Sequence, residues 1–296
     1  MAHVQANGIR IEYELAGPSD GPALLLIHGV GAQLVRWPAT LCNGFVDRGF
    51  RVIRFDNRDV GLSTHLHAGG VPDLAAVLDA KLRGETPALP YTLADMAGDA
   101  LGLLDALEIE AAHLVGVSLG GMIVQQMAID RPDRVLSMTI IMSQSGSPEI
   151  PPPNAAALAQ LMTQAPNPAK NLEGYLAHSV ALNRALGSPL YPTEEATLRR
   201  FAALAAERAY DPAGGARQTA AGRASQDRSS ALARLDVPAL VIHGVDDPLM
   251  PVAAGGQLAQ AIPGAWLLTI KGMGHDLPQQ LCSLFVDIIT ANAARS

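Results

Sequence analysis

The feature that most constrains this chain is Gly116-Val117-Ser118-Leu119-Gly120, placed where the apolar run 111–117 meets a helix-like stretch, 122–130. A serine flanked in this way by glycines, in strand, sharp turn, helix context, has its hydroxyl pushed clear of a strained turn. The glycines have a steric reason: so tight a turn leaves no space for a Cβ two residues to either side of the serine. Ser118 is thereby the candidate nucleophile. The bland alternative is a Gly/Ser-rich connection between a strand and a helix.

A serine hydroxyl is too weak a nucleophile at neutral pH to act alone, so a base, and a carboxylate to orient that base, must follow. The C-terminal quarter holds both. The apolar run 239–243 leads into Gly244-Val245-Asp246-Asp247-Pro248, and the run 266–270 leads into Lys271-Gly272-Met273-Gly274-His275. Each candidate lies just past a predicted strand end, where open parallel sheets gather their sites. His275 is the candidate base, with a surface-loop histidine as the alternative; Gly272 and Gly274 let the loop bend its imidazole toward Ser118. Adjacent Asp246 and Asp247 both stand available as the acid.

The order Ser, Asp, His is that of α/β-hydrolases. The chain resembles that family in His28-Gly29-Val30-Gly31, in the run from Phe55 through Asp56-Asn57-Arg58-Asp59 to Ser63, and in residues 116–121, 244–251 and 272–275. The Phe-Asp-Asn-Arg-Asp-x-Gly-x-Ser run and the Gly-Met-Gly-His-x-Leu-Pro ending are closest to the branch that includes aclacinomycin methylesterase. The resemblance implies an α/β fold, a mostly parallel eight-stranded sheet flanked by helices. Its core would comprise residues 1–143 and 233–296, with an inserted helical cap at 144–232. Aligning the family's Gly-x-x-Asp-Pro-x-x-Pro pattern on Gly244 selects Asp247 as the acid and leaves Asp246 a solvated loop carboxylate. The oxyanion donors implied are the backbone N–H groups of Leu119 and Val30, the latter on the loop after the strand 24–27. His28 would brace that loop, and Trp37 would either line the acyl pocket or pack in the core.

The implied activity is hydrolysis of a hydrophobic small-molecule carboxylic ester through an acyl-enzyme, using Ser118, His275 and Asp247 and no cofactor. Lactone, thioester, amide and carbon–carbon bond hydrolysis and cofactor-independent perhydrolysis can run on the same three residues. Epoxide hydrolysis and haloalkane dehalogenation are disfavoured, since in this fold they use an aspartate nucleophile. A receptor that keeps the pocket without catalysis is the alternative of a different class.

The rest of the chain fits this reading. The net charge is -7 over 296 residues, with no basic excess to suggest nucleic acid or an anionic membrane as a partner. Cys42 and Cys282 do not form a disulfide framework. No apolar run reaches the 18 residues of a membrane helix and no signal-like segment opens the sequence, so a cytoplasmic monomer or homodimer is expected. Asn7-Gly8 reads as a hairpin turn between strands, and Thr92 and Asp95 open a helix whose apolar residues recur from Leu93 to Leu107. Residues 143–230 are alanine-rich and broken by prolines, with helical rather than strand character. Their Leu161, Met162, Tyr175, Leu182, Tyr191, Phe201 and Tyr210 are expected to pack between cap and core more than to touch substrate. Arg54, Asp56, Arg58 and Asp59 form a dense cluster, expected to be an ion-pair network bracing a loop. His65 and His67 have the spacing of a ligand pair, but no companion carboxylate or cysteine motif follows them in sequence and no metal is expected.

Overall fold

The computed structural model describes residues 2–296. Its first two strands, β1 (Ala2–Ala6) and β2 (Ile9–Ala16), are antiparallel. They turn at Asn7 (φ 49°) and Gly8 (φ 78°), the left-handed pair that a two-residue hairpin needs. The parallel strands follow: β3 (Ala23–Ile27), β4 (Arg51–Phe55), β5 (Ala112–Val117), β6 (Val135–Ile141), β7 (Ala239–Gly244) and β8 (Trp266–Ile270). They form one eight-stranded sheet in the order β1-β2-β4-β3-β5-β6-β7-β8, in which only β1 and β2 run antiparallel to their neighbours.

Side chains alternate across this sheet, and each face is covered by helices, which is why β3, β5 and β7 read as continuous apolar runs and are buried throughout. Leu24, Leu26, Val115, Val117, Leu240 and Ile242 pack against α1 (Ala39–Asp47) on one face, together with the C-terminal helix. Leu25, Ile27, Leu114, Ile140 and Val241 face the other way. There they meet α3 (Leu93–Ala106), which follows the short α2 (Leu74–Leu82), and α4 (Leu119–Asp130). Thr92 and Asp95 cap α3 reciprocally: the Thr92 hydroxyl accepts from the Asp95 N–H at 3.2 Å, and the Asp95 carboxylate accepts from the Thr92 N–H at 2.7 Å.

Between β6 and β7 lie α5 (Ala155–Leu161), α6 (Leu172–Leu186), α7 (Glu195–Arg208), α8 (Pro212–Ala224) and α9 (Ser229–Leu232), with no strand among the described residues. α6 packs on α7, and α8 packs on α2. Leu161 and Met162 are exposed, while Tyr175 and Tyr210 meet edge to face and Tyr191 packs against the sheet. The chain closes with α10 (Val252–Ala261) and α11 (Cys282–Ala293), the C-terminal helix beside α1. Among the described residues no helix is long and apolar enough to cross a membrane.

Candidate active site

Because β3 to β8 all run the same way, whatever follows β5, β7 and β8 emerges on one edge of the sheet. Ser118 is the residue between β5 and α4, at φ 56° and ψ −117°, a backbone region that costs a non-glycine residue about 1–3 kcal/mol. Three contacts over-determine it. Its N–H donates to the Ile141 carbonyl at 2.9 Å, its own carbonyl accepts from the Ser143 hydroxyl at 2.7 Å, and the flanking glycines admit backbone where a side chain would sit. A Cβ on Gly116 would lie 2.3 Å from the Gly120 oxygen, and one on Gly120 would lie 2.0 Å from the Ile27 oxygen.

The histidine and aspartate arrive from the neighbouring loops. His275 Nε2 stands 3.1 Å from Ser118 Oγ, and His275 Nδ1 stands 2.8 Å from Asp247 Oδ2. Asp247 is buried, and its second oxygen accepts from the N–H groups of Leu249 and Met250 at 2.8 Å each, so the carboxylate has one orientation. Behind it, fully buried His243 sends Nε2 to the Met250 carbonyl at 2.8 Å, and burial pushes its basicity below the ordinary imidazole range. Asp246 points elsewhere and is not merely solvated: its Oδ2 accepts from the Gly272 N–H at 2.6 Å and so tethers the loop that carries His275.

That loop departs from the sequence expectation in one respect. Gly272 does take a positive φ of 79°, but Gly274 is needed for close approach rather than for bending. A Cβ there would lie 2.4 Å from the Gly187 carbonyl oxygen at the end of α6. The contact is continued by the His275 N–H, which donates to Leu186 O at 2.7 Å, and by the Gly274 N–H, which donates to the Ser188 hydroxyl at 2.9 Å. His275 is thus held by the helical segment as well as by the sheet. Leu186 and Ser188 carry no motif, and nothing in the sequence signals this role.

Opposite Ser118 runs the loop after β3. A Cβ on Gly29 would lie 3.1 Å from the Ser118 Cβ, which measures how closely the loop crosses the serine. Leu119 is the first residue of α4, where N–H groups have no intrahelical acceptor, and the Val30 N–H has no backbone acceptor among the described residues. His28 accepts from the Gly29 N–H through Nδ1 at 2.8 Å and lies edge to face with Trp37 at 4.9 Å, so it braces the loop. Burial lowers its pKa to about 3, helped by the nearby positive charge of Arg36 and by His275, and it stays neutral. Trp37 is a core residue, 1% exposed, rather than an open pocket wall.

A serine on a strained elbow, an imidazole within reach of its hydroxyl and a buried carboxylate behind that imidazole follow one another in chain order as well as in space. A model of the alpha/beta hydrolase fold matches residues 22–278. The chain belongs to the alpha/beta hydrolase family. It is 31% identical over 281 residues to rhodomycin D methylesterase of Streptomyces peucetius, covering 89% of this chain and 88% of that one. It is 27% identical to 3-oxoadipate enol-lactonase 2 of Acinetobacter baylyi, covering 87% of this chain and 83% of that one. Among solved structures, an enol-lactonase from Burkholderia xenovorans superposes with a TM-score of 0.73 at 24% identity, over 99% of this chain and 100% of that one.

In this hydrolase the charge cluster after β4 is an ion-pair network, and most of its partners come from far away in sequence. Arg54 pairs with Glu14 at 2.6 Å, Arg58 with Asp99 at 2.5 Å, Asp56 with Arg208 at 3.0 Å and Asp59 with Arg217 at 2.8 Å. The last two tie the core loop to α7 and α8. Gln218 of α8 completes the junction, accepting from the Gly31 N–H at 2.8 Å and donating to the Arg58 carbonyl at 2.7 Å. Beside this junction Asp211 stands within 3.6 Å of His67 Nδ1 and 2.9 Å of His65 Nδ1. It is the carboxylate companion that the local sequence around the histidine pair lacks.

Proposed function

We infer that this hydrolase cleaves a hydrophobic small-molecule carboxylic ester through an acyl-serine intermediate. The observation that carries the reading is the unbroken relay from Ser118 Oγ to His275 Nε2 at 3.1 Å and from His275 Nδ1 to Asp247 Oδ2 at 2.8 Å. His275 Nε2 takes the Ser118 proton as Oγ attacks the ester carbonyl carbon. The negative oxygen that results is stabilised by the N–H groups of Val30 and Leu119. As the tetrahedral adduct collapses, the carbon–oxygen bond to the alcohol breaks and the alcohol leaves with the proton from His275. Water then attacks the acyl-enzyme, gives its proton to the same nitrogen and releases the acid, and the proton returns to Ser118.

The substrate reading takes its support from the 31% identical methylesterase and from the leucine- and alanine-rich α5 and α6, the latter ending against the loop of His275. Methyl and p-nitrophenyl esters, with a lactone beside them, are therefore the panel to assay. Incubation with a fluorophosphonate followed by peptide mass mapping is expected to find the adduct on Ser118 and to abolish p-nitrophenyl butyrate turnover. Ser118→Ala is expected to lose about four to six orders of magnitude in kcat with an unchanged circular dichroism spectrum. Turnover retained in Ser118→Ala would overturn the assignment; absence of both adduct and turnover in the wild type would favour a ligand-binding role for the same pocket.

A further inference from the structure

The His65, His67 and Asp211 group lies outside the hydrolytic relay, and its geometry calls for a positive centre. His65 Nε2 is 3.0 Å from the Gly61 carbonyl, which can only accept, so that nitrogen carries the proton. His65 Nδ1 then turns toward Asp211 Oδ2 at 2.9 Å, and His67 Nδ1 turns toward the same oxygen at 3.6 Å. Two imidazole nitrogens and one carboxylate oxygen thus converge within 4.8 Å of one another. A proton between His65 and Asp211 would satisfy one pair, whereas His67, 71% exposed at its side chain, stacks on the His65 ring at 5.5 Å and turns its own Nδ1 to the same carboxylate oxygen. A metal ion uses all three.

We propose that His65 Nδ1, His67 Nδ1 and Asp211 Oδ2 form a zinc(II) site with a water in the fourth position. Tetrahedral zinc with bonds of about 2.0–2.1 Å holds its ligand atoms about 3.3 Å apart. The separations of 2.9 and 3.6 Å to Asp211 lie on either side of that value, and the three atoms span up to 4.8 Å, so the site closes on the ion by rotation of the exposed His67 ring toward His65. The supporting groups are also in place. Gly61 O holds the far nitrogen of His65, and Arg217 donates to Asp211 Oδ2 at 3.1 Å, the kinds of outer hydrogen bond that fix metal ligands. Arg217 does not cancel the charge of Asp211, because its guanidinium is already paired with both oxygens of Asp59 at 2.8 Å each.

The ion would join two elements that are distant in sequence, the loop after β4 and the N-terminus of α8, where Asp211 is the N-cap. Two turns further along α8, Gln218 holds the Gly31 N–H of the oxyanion loop. The site is therefore a clamp on the helix that lies over that loop, with the two histidines and the aspartate as its ligands and no part in the hydrolytic chemistry.

The test uses tag-free full-length protein, stripped by chelating resin and titrated calorimetrically with zinc chloride. One equivalent per chain is expected to bind at micromolar zinc or below and to raise Tm. His67→Ala, at an exposed position that leaves folding intact, is expected to weaken that binding at least about tenfold and to remove the zinc-dependent rise in Tm. Asp211→Asn is expected to do the same, while Ser118→Ala binds zinc as the wild type does. No stoichiometric zinc uptake by the wild type, or uptake of unchanged affinity in His67→Ala, would overturn the proposal.

Discussion

At the scale of single residues, the two adjacent aspartates divide two tasks. Asp247 accepts from His275 and from two backbone N–H groups, whereas Asp246 accepts from the Gly272 N–H on the loop that bears the histidine. Exchanging a carboxylate for an amide therefore has unequal consequences. Asp247→Asn places an N–H donor or an uncharged oxygen against the imidazole, upsets its tautomer and is expected to lower kcat about ten-thousandfold. Asp246→Asn keeps an oxygen that can accept from Gly272 and is expected to cost less than about tenfold in kcat, because that backbone contact survives without the charge. Steady-state kinetics of the two variants on the same ester check this, and the reverse ranking would reassign the acid. His243 belongs at the same scale: its bond to Met250 O holds the turn whose N–H groups orient Asp247.

At the scale of elements, the site is built where strands end and helices approach too closely for side chains. Gly274 exists for the end of α6, since a methyl group there would meet the Gly187 carbonyl at 2.4 Å. Gly274→Ala must therefore displace either α6 or the loop bearing His275, and a misplacement of about 1 Å lowers kcat about a hundredfold. Gly256 is a contrasting glycine. It lies inside α10 with nothing within 4 Å of its added methyl, so Gly256→Ala removes only the entropic penalty of glycine in a helix. That variant is expected to gain about 0.5–1 kcal/mol in urea unfolding with kcat unchanged. If both substitutions behaved alike, the contact between α6 and the histidine loop would not be what positions His275.

At the scale of the whole molecule, two buried histidines and the half-buried His28 make stability fall with acid. His28 is lowered to about 3, and His113 and His243 are also lowered by burial. In the unfolded chain each takes up a proton near pH 6.5, while the folded state leaves it neutral. Below that pH the unfolded state binds more protons, so stability is fully present above about 6.5 and is lost as pH falls toward the folded value. The slope approaches about 1.4 kcal/mol per pH unit for each such group. Burial raises Asp99 and Asp276, which act in the opposite sense nearer the carboxylate range. The urea midpoint is accordingly expected to be lower at pH 5.0 than at pH 7.5. An equal or higher midpoint at pH 5.0 would show that these imidazoles are solvated.

The strands, the elbow at Ser118 and the loops of Asp247 and His275 were legible in the sequence because each depends on neighbours in the chain. Apolar runs mark buried parallel strands, and glycines at fixed offsets mark the turn that strains the serine. The choice between Asp246 and Asp247 needed the family pattern or the fold, since two adjacent carboxylates differ only in where their oxygens point. The helical segment hid most. Leu186 and Ser188 holding the histidine loop, Gln218 holding Gly31, Arg208 and Arg217 pairing with Asp56 and Asp59, and Asp211 beside His65 and His67 all join residues more than 80 positions apart. None sits in a periodic pattern, because a hydrogen bond or ion pair is fixed by two side chains meeting in space. The sequence by itself therefore determined the strands and the order of Ser118, Asp247 and His275 along the chain. The tertiary structure alone decided how the helices above them are fastened and which polar atoms converge.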